Sequence, residues 1–93
     1  MIRTFSCKET EKIWNGKSSR IFPMNIQNAT RRKLRILNNA QDLRDLRIPP
    51  ANRREALRGD RVGQHSIRIN DQYRICFVWR QGEAYQVEIV DYH

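Results

Sequence analysis

The sequence predicts an α+β fold in which two N-terminal helices pack on one face of a small antiparallel sheet. Apolar residues recur at helical spacing within the first forty residues, whereas from His65 onward they alternate with polar residues, which is the period of a half-buried strand. Two turn sequences, at residues 70–72 and 81–83, divide the alternating part into three strands. Helices gathered on one side of an antiparallel sheet bury both apolar surfaces.

Residue propensities and a glycine predict a short strand segment and two helices in the N-terminal part of the chain. Ile2 to Phe5 is a short β-prone segment. Residues 8–15 are expected to form a brief helix that ends at Gly16, because glycine readily adopts the left-handed conformation found after a helix. A basic loop over residues 17–23 leads to a longer helix from about residue 25 to residue 40.

The longer helix is amphipathic. Leu34 falls outside its apolar stripe and Lys33 falls within it, so the separation of the two sides is incomplete. The stripe contains Ile26, Ala29, Ile36, Leu37 and Ala40, and the opposite side carries Asn28, Arg31, Arg35 and Asn38.

The three strands follow a loop over residues 41–54. Their alternation places the apolar residues on one face, which we expect the helices to cover. This face contains Ile67, Ile69, Ile75, Phe77, Trp79, Tyr85, Val87 and Ile89. A three-residue turn over residues 81–83 pairs Trp79 with Tyr85.

The other face of the sheet carries charge. The turn at 70–72 places Arg68 directly opposite Arg74, and the next turn places Arg74 opposite Val90 with Tyr92 one diagonal step away. Like charges opposite each other are destabilising, so removal of Arg74 is expected to leave stability unchanged or slightly improved. Two arginines and a tyrosine on an uncovered surface indicate a functional site. A solvated face with incidental charges is the alternative.

The net charge is large and unevenly placed. Eighteen basic and ten acidic residues give +8. Residues 1–40 carry nine basic and two acidic side chains (+7), residues 41–61 six and four (+2), and residues 62–93 three and four (−1). This excess indicates a polyanionic partner, either nucleic acid or an acidic protein. Arginine outnumbers lysine fourteen to four, and guanidinium groups suit phosphates, although an arginine-rich surface without a ligand is the alternative.

Composition excludes several protein classes. The longest apolar run, Ile75 to Trp79, has five residues and is too short to span a membrane. The N-terminus lacks the apolar core of a secretory signal. Cys7 and Cys76 make neither a disulfide framework nor, with only two histidines, a credible zinc site. We therefore expect one cytoplasmic domain, residues 1–93, with no metal, cofactor or membrane partner.

Two segments carry groups suited to chemistry. Asp91-Tyr92-His93 combines a carboxylate, a phenol and an imidazole, which together can transfer protons, whereas a frayed tail is the alternative. Glu55 to Arg61 contains a Gly-Asp turn, and a plain loop or short strand is its alternative. His65 has the parity of the apolar face, which indicates a structural role.

Five motifs are distributed along the chain: Met1-Ile2-Arg3-Thr4-Phe5, Leu57-Arg58-Gly59-Asp60-Arg61, Ser66-Ile67-Arg68-Ile69, Tyr73-Arg74-Ile75-Cys76-Phe77 and Asp91-Tyr92-His93. Together they resemble the HigB-type toxins of the RelE superfamily, over essentially the whole chain. The resemblance implies a RelE-like fold and a type II toxin that cleaves mRNA on the 70S ribosome and inhibits translation. It also implies a HigA-like helix-turn-helix antitoxin, with operator DNA bound through the toxin–antitoxin complex.

The resemblance also implies site residues. The basic position before Gly-Asp falls on Arg58, the strand arginine on Arg74, and the C-terminal catalytic set on Asp91, Tyr92 and His93. Such cleavage uses the RNA 2′-hydroxyl as the nucleophile and requires no metal.

The chain departs from better-known relatives at two positions, where Glu55 and Arg58 replace a histidine and a lysine. Arginine holds its proton tightly and is a poor proton donor, so Arg58 is expected to stabilise charge together with Arg68 and Arg74. His93 is the expected general acid or base, with Glu55 in reserve, and activity is expected to be weaker. A non-catalytic RNA-binding or ribosome-assembly module and a domain that binds an acidic protein are the alternatives. The expected ribosomal RNA contacts are Lys17, Arg20, Arg31, Arg32, Lys33 and Arg35.

Overall fold

A computed structural model describes residues 1–91 and shows a four-stranded antiparallel sheet with two helices on one face. The helices are α1 (Lys8–Trp14) and α2 (Met24–Asn39), and the strands are β1 (Glu55–Ala56), β2 (Gln64–Arg68), β3 (Tyr73–Arg80) and β4 (Glu83–Asp91). The strands lie in the order β1-β2-β3-β4. The α+β prediction is confirmed, and β1 adds an edge strand in the segment expected to be a loop or a short strand. No helix within residues 1–91 is long and apolar enough to cross a bilayer.

Helix α1 is capped by Gly16 in the left-handed conformation, as predicted. Gly16 has a φ of +86°, and its N–H donates to the Ile13 carbonyl at 3.1 Å. The Lys17 N–H donates to the Lys12 carbonyl at 2.9 Å. These two bonds form the Schellman motif, which satisfies carbonyls that the helix end would otherwise leave unpaired.

The buried side of α2 differs from the prediction. Leu34 is fully buried, whereas Ala29 and Ile36 are only half-buried. The reason is that Gln27 and Thr30, both polar, belong to the buried side. The predicted stripe counted only apolar residues, so its centre lay too far from Gln27 and Thr30.

The core lies between the helices and one face of the sheet. Ile13 of α1 and Leu34 and Leu37 of α2 pack in one cluster with strand residues of matching parity. Those strand residues are Ile67, Ile75, Phe77, Ala84, Val87 and Ile89, and Ile69, which directly follows β2, joins them. The expected apolar face is thus confirmed except at β4, where Ala84 and not Tyr85 belongs to it.

The turn between β3 and β4 explains that exception. It has two residues, Gln81 and Gly82, both with positive φ, which is the geometry that matches the twist of a hairpin. Trp79 therefore pairs with Ala84, and the predicted Trp79–Tyr85 pair is wrong. Tyr85 pairs with Val78 on the opposite face.

A bulge then restores the expected register further along. Between the pairs Cys76–Glu88 and Val78–Tyr85, β4 contributes one residue more than β3, and Gln86 has a φ of +55°. Because the bulge offsets the shorter turn, Arg74 still pairs with Val90, as predicted.

The segments outside the regular elements are also ordered by the core. Ile2 and Phe5 form isolated parallel bridges to β4. The expected loop over residues 41–54 contains two 3₁₀ turns, Leu43–Arg47 and Pro50–Asn52. Asn52 is fully buried, and its amide donates to the Leu46 carbonyl at 3.2 Å. This side chain holds the second turn against the first.

Candidate functional site

The face of the sheet opposite the helices, called here the outer face, carries three of the expected site residues, Glu55, Arg68 and Arg74. Strand register aligns one row across it: Glu55, Ser66, Cys76 and Glu88. Arg68, Arg74 and Val90 form the neighbouring row. The predicted opposition of Arg68 and Arg74 is confirmed.

Arg74 is not on an uncovered surface, and that expectation is wrong. Its side chain is only 7% exposed. Its Nε donates to Ser66 Oγ at 2.7 Å, and its guanidinium also donates to the Arg53 backbone carbonyl. The segment at Arg53, whose φ is +42°, covers this part of the outer face. Hydrogen bonds to a charged donor therefore offset the repulsion from Arg68, and we expect Arg74 to stabilise the fold.

Arg68 has a different environment. It forms an ion pair with Asp71, three residues along the β2–β3 turn, whose side chain is almost fully exposed. Ion pairs of this kind are screened by solvent and readily exchanged. Arg68 is thus held by a weak partner that an incoming phosphate can replace.

A cleft of about 600 Å³ lies at the edge of the sheet, along β1. It is lined by Glu55, Ala56, Leu57 and Arg58. Leu57 is buried, and its N–H donates to the Gln64 carbonyl at 2.9 Å, which anchors the segment to β2. Glu55 and Arg58 are exposed on either side of this anchor. The structure therefore brings a carboxylate and a guanidinium to the same cleft.

The C-terminal set is described only in part. Asp91 pairs with Tyr73 at the end of β4 and accepts a hydrogen bond from Gln72 Nε2 at 3.1 Å. Tyr92 and His93 lie outside the described residues, and their expected roles remain predictions.

A cluster on the outer face was missed by sequence reasoning. An Arg61 guanidinium nitrogen lies 3.3 Å from Glu88 Oε1. Glu88 pairs with Cys76 across β3 and β4, and burial raises the pKa of the Cys76 thiol. The predicted register that pairs Arg74 with Val90 also pairs Cys76 with Glu88, so the position of Glu88 could have been read from the sequence.

Two of the expected RNA contacts are used inside the protein. Arg31 Nε donates to the Ile13 carbonyl at 3.0 Å, and another guanidinium nitrogen donates to the Lys17 carbonyl at 2.9 Å, so the side chain caps α1. Lys33 Nζ donates to Asn52 Oδ1, and burial lowers the pKa of Lys33. The exposed members of the set are Lys17, Arg20, Arg32 and Arg35.

His65 has the structural position that its parity indicated. Its ring stacks on Phe77 with 6.0 Å between centroids. Burial, followed by the charge of Arg54, lowers its pKa. Arg54 lies 3.3 Å from His65 Nδ1, and a neutral imidazole can accept this hydrogen bond.

Residues 1–91 contain no group of three histidine, cysteine, aspartate or glutamate side chains arranged for a metal. Glu55 and Arg58 line the open cleft, and half-buried Arg68 lies on the neighbouring outer face. Arginine donors can stabilise negative charge on a phosphate, and a carboxylate can accept a proton.

Comparison with known sequences identifies relatives. A family model for the RelE-like toxin of the type II toxin–antitoxin system HigB matches residues 3–93. Toxin HigB-1 of Vibrio cholerae is 47% identical over 85 residues, which cover 90% of each protein. An uncharacterized Haemophilus influenzae protein is 34% identical over 69 residues, covering 74% of this chain and 68% of that protein.

Comparison with solved structures shows the same architecture at low sequence identity. A mutant of YafQ from E. coli has a TM-score of 0.65 at 11% identity, and the match covers 98% of this chain and 91% of the YafQ chain. The YoeB-YefM complex from Staphylococcus aureus contains a chain with a TM-score of 0.58 at 17% identity, covering 100% of this chain and 95% of that one. These structures establish a shared fold.

Proposed function

This chain belongs to the HigB family of RelE-like toxins from type II toxin–antitoxin systems, and on that premise we propose that it is a ribosome-dependent mRNA endoribonuclease. The observation that supports the proposal is the cleft at Glu55 and Arg58 beside an outer face that carries Arg68 and Arg74. Arg58, which lines the cleft, and Arg68 on the neighbouring outer face are the proposed cationic donors to a nucleic-acid strand.

The proposed reaction is metal-independent attack by the RNA 2′-hydroxyl on the adjacent phosphorus. A base takes the proton of the 2′-hydroxyl, the P–O bond to the 5′-oxygen breaks as an acid protonates that oxygen, and a 2′,3′-cyclic phosphate is left on the upstream fragment. Arg58 and Arg68 bind the phosphate as negative charge develops. Arg74, held by Ser66, contributes a fixed positive charge close to it. Stabilisation of that charge is typically the largest contribution to such catalysis.

Proton transfer is assigned to the C-terminal set and to Glu55. His93 is the general acid or base, Asp91 orients it, and Tyr92 stacks on a base or donates to the phosphate. Glu55 is the reserve base, because it is exposed in the same cleft as Arg58. An arginine remains protonated at all physiological pH values, so Arg58 binds charge and does not exchange a proton.

The partners follow from the family and the charge. As a type II toxin, the chain has a cognate antitoxin, which we propose is a HigA-like helix-turn-helix protein that also binds operator DNA. The exposed cations of the α1–α2 loop and α2 contact ribosomal RNA. We place the activity in the cytoplasm, where ribosomes translate.

A reconstituted translation reaction tests this function. Primer extension on a defined mRNA should show new 5′ ends only when ribosomes and the toxin are both present, and Arg58→Ala should reduce cleavage by about 10²–10³. Arg80→Ala, which changes an exposed arginine at the end of β3, is the matched control and should cleave like the wild type. Cleavage without ribosomes, or none with them, would contradict the proposal.

The second candidate function is a non-catalytic RNA-binding or ribosome-assembly module. Arg58 favours it, because the exposed cleft residue that accompanies Glu55 cannot donate a proton at neutral pH. In that case the wild-type chain would bind ribosomes and slow growth while leaving mRNA intact.

A further inference from the structure

An ion pair joins the loop after β1 to the middle of β4. The Arg61 guanidinium lies 3.3 Å from Glu88 Oε1, and its other terminal nitrogen donates to Gln64 Oε1 at 3.0 Å. Ser6 Oγ donates to the second oxygen of Glu88 at 2.7 Å. We call these four side chains, Ser6, Gln64, Arg61 and Glu88, the clasp. Each of its two charges has a partner of opposite sign and a neutral hydrogen-bonding partner.

The clasp restrains a segment that is otherwise weakly attached. Strand β1 has only two residues, and the Gly59–Arg61 turn that follows it has no buried side chain. Leu57 anchors the segment before this turn, and Arg61 anchors it at the last residue of the turn. Arg58 lies between the two anchors, with its own side chain exposed.

The clasp also lies on the same surface as the phosphate-binding arginines. Glu88 ends the row across the sheet that Glu55 begins, and the charges of Arg61, Glu88 and Arg74 all act on Cys76 between them. A change in the clasp therefore alters the loop that carries Arg58 without removing any group placed in the reaction.

We propose that Arg61 and Glu88 are positioning residues that fix Arg58, which lines the cleft, relative to Arg74. This inference rests on the proposed nuclease function. The hydrogen-bonding donors of Arg61 are directed at Glu88 and Gln64, so its role differs from that of a phosphate ligand. The clasp acts as a unit: loss of either charge releases the turn.

The test uses the full chain and the reconstituted translation reaction, with Arg61→Gln, Glu88→Gln and the double variant. Each single variant should lower kcat by about 10–100-fold, because a misplaced group is costly in a preorganised site, with KM for ribosomes nearly unchanged. The double variant should lower kcat by no more than the more damaging of the two single variants. Glu88→Asp should recover part of the loss. Circular dichroism and melting temperature establish that each variant is folded.

A second ion pair on the same strand is the matched control. Arg3 Nε lies 2.8 Å from Glu83 Oε2, and this pair sits at the other end of β4. Arg3→Gln and Glu83→Gln should leave kcat at the wild-type value. Hydrogen exchange should become faster at the 59–62 amides in the clasp variants and stay unchanged in these controls.

Three outcomes would overturn the inference: wild-type kcat in the clasp variants, loss of kcat in Arg61→Gln but not in Glu88→Gln, or an equal loss in the Arg3 and Glu83 controls. The second would make Arg61 a direct phosphate ligand. If the wild type itself does not cleave, the proposed function is wrong, and the positioning role of the clasp is wrong with it. Failure of the clasp alone leaves wild-type cleavage intact, so the two failures are distinguishable.

Discussion

Arg74 combines a structural and a proposed catalytic role in one side chain. Its register opposite Arg68 suggested a residue tolerated only for function, since like charges repel. Its hydrogen bonds to Ser66 and to the Arg53 carbonyl show that it also holds the segment before β1. A substitution at this position must therefore be tested for stability and activity separately.

Replacing Arg74 with alanine should reduce both properties. Ser66 Oγ and the Arg53 carbonyl lose a charged donor, so the free energy of unfolding should fall by about 1–3 kcal/mol in urea titrations. Cleavage should fall by about 10²–10³ under conditions in which the variant is folded. Arg74→Lys retains the charge and should recover stability in part. Unchanged stability in Arg74→Ala would contradict the hydrogen-bonding role.

The proposed acid or base is tested at His93. His93→Gln should lower kcat by about 10²–10⁴, the usual contribution of one positioned proton-transfer group. The pH–rate profile should lose a limb near the ordinary imidazole pKa of about 6.5. Glu55→Gln is the comparison: if it removes the limb and His93→Gln does not, Glu55 is the group that titrates.

At the scale of elements, the junction of α1 and α2 is a hydrogen-bonded unit. Buried Gln27 donates to the Ser19 and Phe22 carbonyls, each at 2.9 Å, and accepts from the Ser19 N–H at 3.1 Å. Arg31 caps the carbonyl end of α1 across the same junction. The basic loop is thereby held in one shape, with Lys17 and Arg20 exposed.

Arg31 and Arg35, one turn apart on α2, should behave differently. Arg31→Ala removes donors from two backbone carbonyls and should lower the free energy of unfolding by about 1–2 kcal/mol. Arg35→Ala should leave stability within about 0.5 kcal/mol, because exposed substitutions usually have small effects. Ribosome binding should weaken in Arg35→Ala, measured by sedimentation. Equal stability of the two variants would exclude the capping role.

Strand β2 should confer pH-dependent stability through His65. Its folded-state pKa is lowered by burial and by Arg54, so the folded chain binds fewer protons than the unfolded chain below the ordinary value of about 6.5. The stabilisation is therefore fully present above pH values of about 6.5 and is lost as the pH falls through the folded-state pKa. His65→Gln should flatten the pH dependence of urea midpoints measured on either side of the ordinary imidazole pKa. A wild-type slope in this variant would assign the effect to another group.

At the scale of the whole molecule, charge governs association. The net charge is +8, and Lys17, Arg20, Arg32 and Arg35 are exposed in the N-terminal half. Arg31 and Lys33 are committed to contacts inside the protein. The number of cations available to a partner is thus smaller than the count of basic residues implies.

Ribosome binding should weaken steeply with salt. If four cations each neutralise one phosphate, log Kd should rise by about 3–4 per tenfold increase in salt concentration, since each contact contributes about 0.9. The double variant Lys17→Gln/Arg20→Gln should reduce this slope by about 2. Binding titrations between about 50 and 200 mM salt measure it, and a flat response would contradict an RNA-directed surface.

Local sequence patterns were enough to predict the two helices, the β2–β3–β4 meander and the opposition of Arg68 and Arg74. These features depend on spacing over a few residues, where helical and strand periods differ clearly. The Gly16 helix end is predictable for the same reason, because it is a property of local backbone conformation. The family resemblance singled out Glu55 and Arg58 as departures, and both line one cleft, while their roles remain predictions.

Packing between distant segments determines which arginines have partners inside the protein. The capping role of Arg31, the burial of Arg74 against Arg53 and the Arg61–Glu88 pair join residues 18, 21 and 27 positions apart. A two-residue turn and a bulge compensate each other in β4, so turn length alone misplaced Tyr85 while leaving Val90 correct. Such contacts depend on how elements pack, and local sequence carries no periodic signal for them.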